Sequence, residues 1–577
     1  MGGHRRDVFW WRSACSFQTR ELFRKLAMKK YPLDRAIAIV AVVALPLLYL
    51  IVALIYSAAS APFGRQVDPE SAYAMNGLAW SVGYSMLKSD HPGTTTTMLA
   101  GLVIRSWAFL VNRSDVVEFG LKNFDAIIYA ARAVQAVILA GALVASGVII
   151  RNTTGSLIAA MLFQVAPFTS AEVLHFEVIL TPESLMVSCA ILGMALVLKA
   201  ALQDKSPSVG LGIGQGVIFA LGLSSKFLYA PLALLGLSLF RNQKAYWAAG
   251  AAGILTFFVY NRIFHPLVFT SGFHWIASLA THKGVYGEGE AGFIDFATFW
   301  PNMGQIILAE PVIFAVFTIG GIVAIVQMVR TGRYLDPVSL TLIATCMAFA
   351  AQVVATSKHF ALHYMLATWV LTGGALVLTS TEIRRLFPRI PPKAIAGAAV
   401  AVCVVLISRT LLETRAQGLS WMASNAMGAR LSRAVVAAGP ACANVSSMFV
   451  RAPEHDLNFG ADLTLSLPEM VDRFSAAYKR TFDVPLLDHS SYYRGTLMKD
   501  FEPYSYRQLA AEYACIVVRT PNELDEKSSL GLLELNPEHC LVQGIHVYTV
   551  GIACTRIGQA YQKLSQRRPF AVSYALG

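Results

Sequence analysis

Between residues 36 and 411, long apolar runs alternate with short polar or basic turns, and after residue 412 the pattern changes. A helix crosses a bilayer in roughly 20 predominantly apolar residues. Runs of that kind lie at 36–56, 127–150, 157–173, 184–198, 211–225, 227–240, 246–260, 306–329, 338–356, 362–378 and 394–411. They predict about eleven spans, several of them short. The first run is followed by SAASA, which imitates a signal-peptidase site. It is longer than the ~7–15 residues of a signal core, so an anchored first helix is expected.

Basic residues orient these spans. The 1–35 segment carries Arg5, Arg6, Arg12, Arg20, Arg24, Lys25, Lys29, Lys30 and Arg35, which places it in the cytoplasm. Arg151, Lys199 with Lys205, Arg241 with Lys244, Arg330 with Arg333, and Arg384, Arg385, Arg389 with Lys393 then fall on the same side. An odd number of spans sends the C-terminus outside. The expected division is a basic tail at 1–35, a membrane module at 36–412 with outer loops 57–126 and 261–305, and an outer domain at 413–577. That last part mixes helical patterns (429–438, 468–480) with β-rich ones (445–450, 515–519, 545–550), as a small α/β domain would.

Composition agrees and excludes other classes. Of 577 residues 55% are hydrophobic and 14% charged, with mean hydropathy +0.53, which is more apolar surface than one aqueous core needs. The net charge of +12 sits largely in the tail and turns, so it reads as membrane topology rather than nucleic-acid binding. Cys442, Cys515, Cys540 and Cys554 fall in the outer domain, where up to two disulfides can form in any of three connectivities. Their spacing lacks the CxxC of a zinc site.

Chemistry-bearing residues gather on the outer side. In RQVDPESAYAMNGLAWSVGYSMLKSDHPG (65–93) an acid pair, Asp68 and Glu70, precedes a helical apolar repeat at 71–87 and then His91-Pro92-Gly93. The repeat predicts an amphipathic helix along the membrane surface, with a second at 97–110. Later come Arg132, TPESLMV at 181–187, GLSSKFLYAP at 222–231 and KHFALHYML at 358–366. By their order and spacing these elements resemble the integral-membrane glycosyltransferases of the GT-C class, which include protein O-mannosyltransferases and lipid A aminoarabinose transferases. The resemblance covers about the first 400 residues. Gly93 departs from it, since the class usually carries a second proline there.

The resemblance implies a polytopic α-helical GT-C-like fold and a sugar donor linked to polyprenyl phosphate. A sugar hydroxyl needs a base to attack an anomeric carbon, and Asp68, with Glu70 beside it, is the candidate. The leaving phosphate needs a cation. Lys226 and Lys358 are favoured for it, with Arg132, His91, Lys283, Tyr286, His359, His363 and Tyr364 as further donor contacts. Glu183 is a candidate for orienting the acceptor or, with the other acids, for holding a divalent cation such as Mg2+ or Mn2+. The glycine-rich THKGVYGEGE (281–290) suits a mobile lid.

Each residue also has a structural reading. Asp68 and Glu183 suit helix starts, and Lys226 and Lys358 suit snorkelling. The expected function is inverting sugar transfer to an envelope acceptor (lipid A or core sugars, another glycan, or protein) at the outer face of a bacterial inner membrane. The alternatives are a lipid-linked sugar flippase and a non-catalytic assembly factor. Flippases of this size tend to show paired repeats and mid-membrane sites, and no internal repeat is visible here.

Overall fold

A computed structural model describes residues 32–60, 70–86, 92–203, 205–283, 290–447, 457, 460–461, 464–465, 467–490, 496–520, 523 and 531–567. Six helices among them are long and apolar enough to cross a membrane: Ile39–Ala59, Phe124–Thr154, Pro182–Leu202, Pro311–Thr331, Pro337–Lys358 and Pro392–Ala438. The helices Leu362–Trp369 and Thr372–Leu386 meet the same criterion only when taken as a pair, bent by 44°. The chain is a multi-pass membrane protein.

Several of the expected apolar runs do not form a single unbroken α-helix. The run at 157–173 divides into the helix Leu157–Gln164, the 3-10 turn Ala166–Phe168 and the helix Ala171–Glu177. Pro167 and the capping hydroxyl of Ser170 account for the breaks. The run at 306–329 is interrupted at Glu310, after which Pro311 starts a new helix. The run at 227–240 forms a 3-10 helix, Phe227–Leu239. At about 2 Å per residue its 13 residues reach about 26 Å, further than the same length of α-helix. Its neighbour, Val209–Ser225, packs on Gln243–Phe264 through Gly212 and Gly216, where any Cβ would strike the carbonyls of Ala245 and Ala249. That is the small-residue approach by which membrane helices gain contact.

The helix expected along the membrane surface is instead buried. Glu70–Ser81 has all but one of its residues inside the protein. Its core side chains Tyr73, Met75 and Leu78 pack with Ile104, Val117, Leu457, Ala461 and Phe474. Ser71, Ala72, Ala74, Gly77 and Ala79 are small enough to admit neighbours on every face. Gly77 meets Thr97, Ala100 and Gly101 of the helix Thr94–Leu110, and Gly460 meets Ser71. The repeat correctly gave a helix; the small residues between its apolar positions closed the other faces.

The helix Pro392–Ala438 has 47 residues and so runs about 70 Å, far beyond a ~30 Å hydrocarbon core. Its C-terminal end carries Leu431, Ala434 and Val435 into a core with Val517, Val547 and Ile557. There the chain forms a seven-stranded sheet: β1 (Ala443–Ser447), β2 (Leu487–Ser490), β3 (Thr496–Lys499), β4 (Glu502–Tyr504), β5 (Ile516–Thr520), β6 (Glu538–Val542) and β7 (Ile545–Val550), in the order β4-β3-β2-β1-β5-β7-β6. β1 is parallel to β2 and β5, and the other pairings are antiparallel. Disulfides join Cys442 to Cys515 and Cys540 to Cys554, selecting one of the three connectivities.

Candidate functional site

Five sequence motifs that lie far apart along the chain touch one another directly. Glu70 starts the first-loop helix, where an acid suits the helix dipole. Its carboxylate receives Arg132 Nε at 2.6 Å and a second bond from Arg132 Nη2. The Leu180 amide, just before TPESLMV, donates to the same carboxylate. Arg132 Nη1 donates to Ser57 O at 3.1 Å, Ser60 O at 2.9 Å and Ser60 Oγ at 3.0 Å. Both partners are buried completely, and the fork of the guanidinium is filled. One turn along, Gln135 Nε2 donates to Thr181 O at 3.2 Å.

TPESLMV then reaches the next two motifs. Glu183 stands in the first turn of Pro182–Leu202 and pairs through Oε1 with Lys226 Nζ. Lys226 marks the corner between Val209–Ser225 and the 3-10 helix. Its ammonium lies 5.1 Å from the centre of the Tyr364 ring, within reach of a cation–π contact. Glu183 Oε2 is buried and has no hydrogen-bond partner among the described residues. This pair is therefore unsaturated, unlike Glu70–Arg132.

The remaining element, His-Pro-Gly, joins the same cluster at its glycine. The Gly93 amide donates to Ser225 O at 2.9 Å, and Thr95 Oγ1 lies 2.6 Å from Ser225 Oγ. Thr96 donates to Thr181 O and Thr94 to Asn261 Oδ1. Gly93 has φ +56°, and a Cβ there would meet the Tyr73 ring at 3.0 Å. Proline can supply neither that φ nor the amide hydrogen. The departure from the family pattern is thus used by this fold.

Other expected residues are placed less centrally. Lys358 donates to Ala280 O, at the end of the helix Ser271–Ala280, and lies 5.5 Å from the Phe293 ring. Lys283 is exposed. His359 and His363 do not share a helix face, because Pro337–Lys358 ends before them and a 3-10 turn begins at Leu362. Both approach Tyr364, at 5.9 and 4.3 Å between ring centres, and buried His363 stacks on Phe176 at 4.7 Å. Asp68, His91 and Tyr286, with residues 284–289 of the expected lid, lie outside the described residues. No group of three His, Cys, Asp or Glu among the described residues is placed to hold a metal.

Sequence reasoning missed the helix Ala171–Glu177, which supplies further titratable groups beside these pairs. Half-buried Glu172 has its carboxyl pushed up to about 7 by burial and then by the charges of Glu310 and Glu183. Burial, with Arg132 and His363 nearby, lowers His175 to about 3, so its ring stays neutral against Trp421 at 4.4 Å. Glu177 is fully buried with neither carboxylate oxygen hydrogen-bonded among the described residues, and burial raises it. Three acids or histidines in seven residues, AEVLHFE, was the available signal.

No family model and no curated protein matches the chain. Among solved structures it is similar to ArnT from Cupriavidus metallidurans bound to undecaprenyl phosphate, with TM-score 0.47 and 14% identity over 89% of this chain and 98% of that one. The apo state of ArnT from the same organism gives 0.45 with the same identity and coverage. The archaeal oligosaccharyltransferase AglB from Archaeoglobus fulgidus, in complex with an inhibitory peptide and a dolichol-phosphate, gives 0.36 and 13% over 65% and 56% of the two chains. Both proteins are GT-C glycosyltransferases, the class that the sequence motifs resemble.

Proposed function

We propose that the chain is a membrane glycosyltransferase that moves a sugar from a polyprenyl-phosphate donor to a cell-envelope acceptor at the outer face of a bacterial inner membrane. The observation that carries this reading is the contact chain itself. VDPESAY, Arg132, TPESLMV, GLSSK and KHFALHY are linked by Glu70–Arg132, Glu70–Leu180, Gln135–Thr181, Glu183–Lys226 and Lys226–Tyr364. Motifs singled out for one chemistry have no reason to meet if each merely caps its own helix.

In this reading Asp68 takes the proton of the acceptor hydroxyl as it attacks the anomeric carbon, with inversion. Glu70, two residues after Asp68 in the sequence and held by Arg132, is assigned as a positioning residue for it. Lys226 meets the donor phosphate by exchanging its bond to Glu183 for one to phosphate, which compensates the charge built up on the leaving oxygen. Tyr364, whose ring lies beside Lys226, is a donor contact, and His359, His363, Lys358, Lys283, His91 and Tyr286 are assigned to the donor as well. Glu183 is then released to orient the acceptor. The outer domain follows the last membrane helix on the periplasmic side.

The test is transfer of radiolabelled sugar from a panel of polyprenyl-phosphate donors to envelope extract, using purified chain with and without EDTA. Transfer by the wild type that fails in a folded Asp68→Asn chain supports the reading, and EDTA sensitivity adds a divalent cation to it. Absence of transfer from every donor, in folded protein, turns the assignment to a flippase or an assembly factor.

A further inference from the structure

A cavity of about 1050 Å³ lies where the seven-stranded sheet meets the start of the helix Phe124–Thr154. This is as large as a small-molecule site, for which ~300–1,000 Å³ is usual. Its charged side chains balance. Lys122 and Asp125 border it at the helix start, and Asp483 and Arg519 on the side of the sheet. A ligand of either net charge meets like charge from one of these sets, which is costly; an uncharged ligand meets neither. Arg519 is buried and already engaged, donating to Ser432 Oγ at 2.7 Å among its bonds, so it serves as a fixed part of the wall.

The strand pattern sets this wall apart from ordinary core. Residues two apart in a strand share a face, and the register sets Asn444 of β1 against Val517 of β5. Val517 packs under Leu431, Ala434 and Val435 of the long helix, as a covered sheet face should. The opposite face, with Val445, Ile516 and Val518, is apolar as well. Asn444 is a polar residue between these apolar layers, and it borders the cavity. Its Oδ1 is buried with no hydrogen-bond partner among the described residues, a state that costs about 1–3 kcal/mol where nothing compensates it. A hydroxyl donating from the cavity compensates it.

The remaining wall suits a ligand rich in hydroxyls. A carboxylate offers two oxygens to neighbouring hydroxyl groups, and an amide both accepts and donates. Phe482 and Tyr513, each half-buried on the wall, supply flat apolar surface for the C–H face of a pyranose ring. The Cys442–Cys515 disulfide ties the residue before β1 to the residue before β5. The strand side of the cavity is thereby held in place before any ligand arrives, which lowers the ordering cost of binding.

We propose that this cavity binds an uncharged saccharide, with Asn444 and the carboxylates of Asp125 and Asp483 on its hydroxyls. Naming that saccharide the acceptor rests on the transferase reading; the binding itself does not. Ala126, on the cavity wall, precedes Arg132 by six residues of one helix, about 9 Å along its axis. A bound saccharide thus lies within a few sugar rings of the motif cluster.

The experiment is saturation-transfer NMR on the full chain in lipid nanodiscs, because detergents with sugar headgroups would compete. The probes are the neutral and the anionic oligosaccharide fractions released from envelope extract by mild acid. The neutral fraction is expected to receive saturation and the anionic one is not. Asn444→Ala and Asp483→Asn should each weaken binding about fivefold with the melting temperature unchanged. Asp483 is exposed, so its variant decides the matter if Asn444→Ala does not fold. No signal from the neutral fraction with folded wild type, a stronger signal from the anionic fraction, or equal binding by the folded variants overturns the proposal. In the transfer assay the same variants should raise KM for the extract severalfold more than they lower kcat. An unchanged KM where binding is lost removes the saccharide from the acceptor role. No donor is present in the NMR experiment, so its failure and failure of the transfer assay are separate results.

Discussion

Two ion pairs stand within the same cluster, and they differ in what they leave over. Glu70–Arg132 is closed: Arg132 makes five hydrogen bonds, the Glu70 carboxylate also receives a backbone amide, and both side chains are sealed from water. Glu183–Lys226 is more open: one carboxylate oxygen has no hydrogen-bond partner among the described residues, and the ammonium is also set toward an aromatic ring. A closed pair has nothing to offer a substrate without being broken. An open one can exchange partners, which is what binding and release of a phosphate require.

The comparison would break first at Arg132. Arg132→Met leaves Glu70 buried without its cation, which should cost about 3–5 kcal/mol and appear as lost folded protein in detergent size exclusion. The double change Glu70→Leu/Arg132→Met should recover most of that yield, because it removes both charges. If Arg132→Met instead folded normally and lost only activity, the closed pair would belong to the chemistry.

Lys226→Met should show the opposite profile. Transfer is expected to fall about 100-fold or more, with a smaller loss of thermal stability than Arg132→Met. Equal damage to stability in the two variants would erase the distinction between the pairs.

Gly93→Ala sharpens the boundary of the structural group. The positive φ of +56° and the nearby Tyr73 ring should cost about 1–2 kcal/mol, read as a lower melting temperature with unchanged donor preference. Gly93→Pro, which also removes the amide bonded to Ser225, should be worse.

An exposed pair gives the smallest effect and a control for both. Glu502 in β4 accepts from Ser475 at 2.7 Å and from Lys479 at 3.1 Å. These hold its carboxyl below the ordinary value, Ser475 contributing most. Its stabilisation is present above the unfolded carboxyl range and is lost as pH falls through the lower folded value. Lys479→Met should cost about 1 kcal/mol or less and flatten that acid limb slightly, as acid melts of the two proteins would show.

Much of this arrangement was legible in the sequence because membrane burial needs long runs and charged turns. The first span, the last one and the β-rich segments at 515–519 and 545–550 correspond to observed elements, as does 445–447 of the segment expected at 445–450, whose remainder lies outside the described residues. What could not be read was how the shorter runs break. Proline at 167 and 311 interrupts two runs, and apolar periodicity does not register a 3-10 helix such as Phe227–Leu239. At the site, Glu70, Arg132, Glu183, Lys226 and Tyr364 were each visible as residues. Their pairing was not, since contacts between positions 62 and 43 residues apart depend on tertiary packing. Thr94, Thr95 and Thr96, just before the amphipathic stretch expected at 97–110, drew no attention in the sequence, yet they bind three different elements.

The most direct test of the open pair is binding of polyprenyl phosphate, measured by native mass spectrometry on wild type, Lys226→Met and Glu183→Gln. The account predicts that Lys226→Met loses the lipid phosphate by about tenfold or more. Glu183→Gln should keep or tighten it, because the lysine then has no carboxylate to leave. Wild-type affinity in a folded Lys226→Met chain would contradict the account.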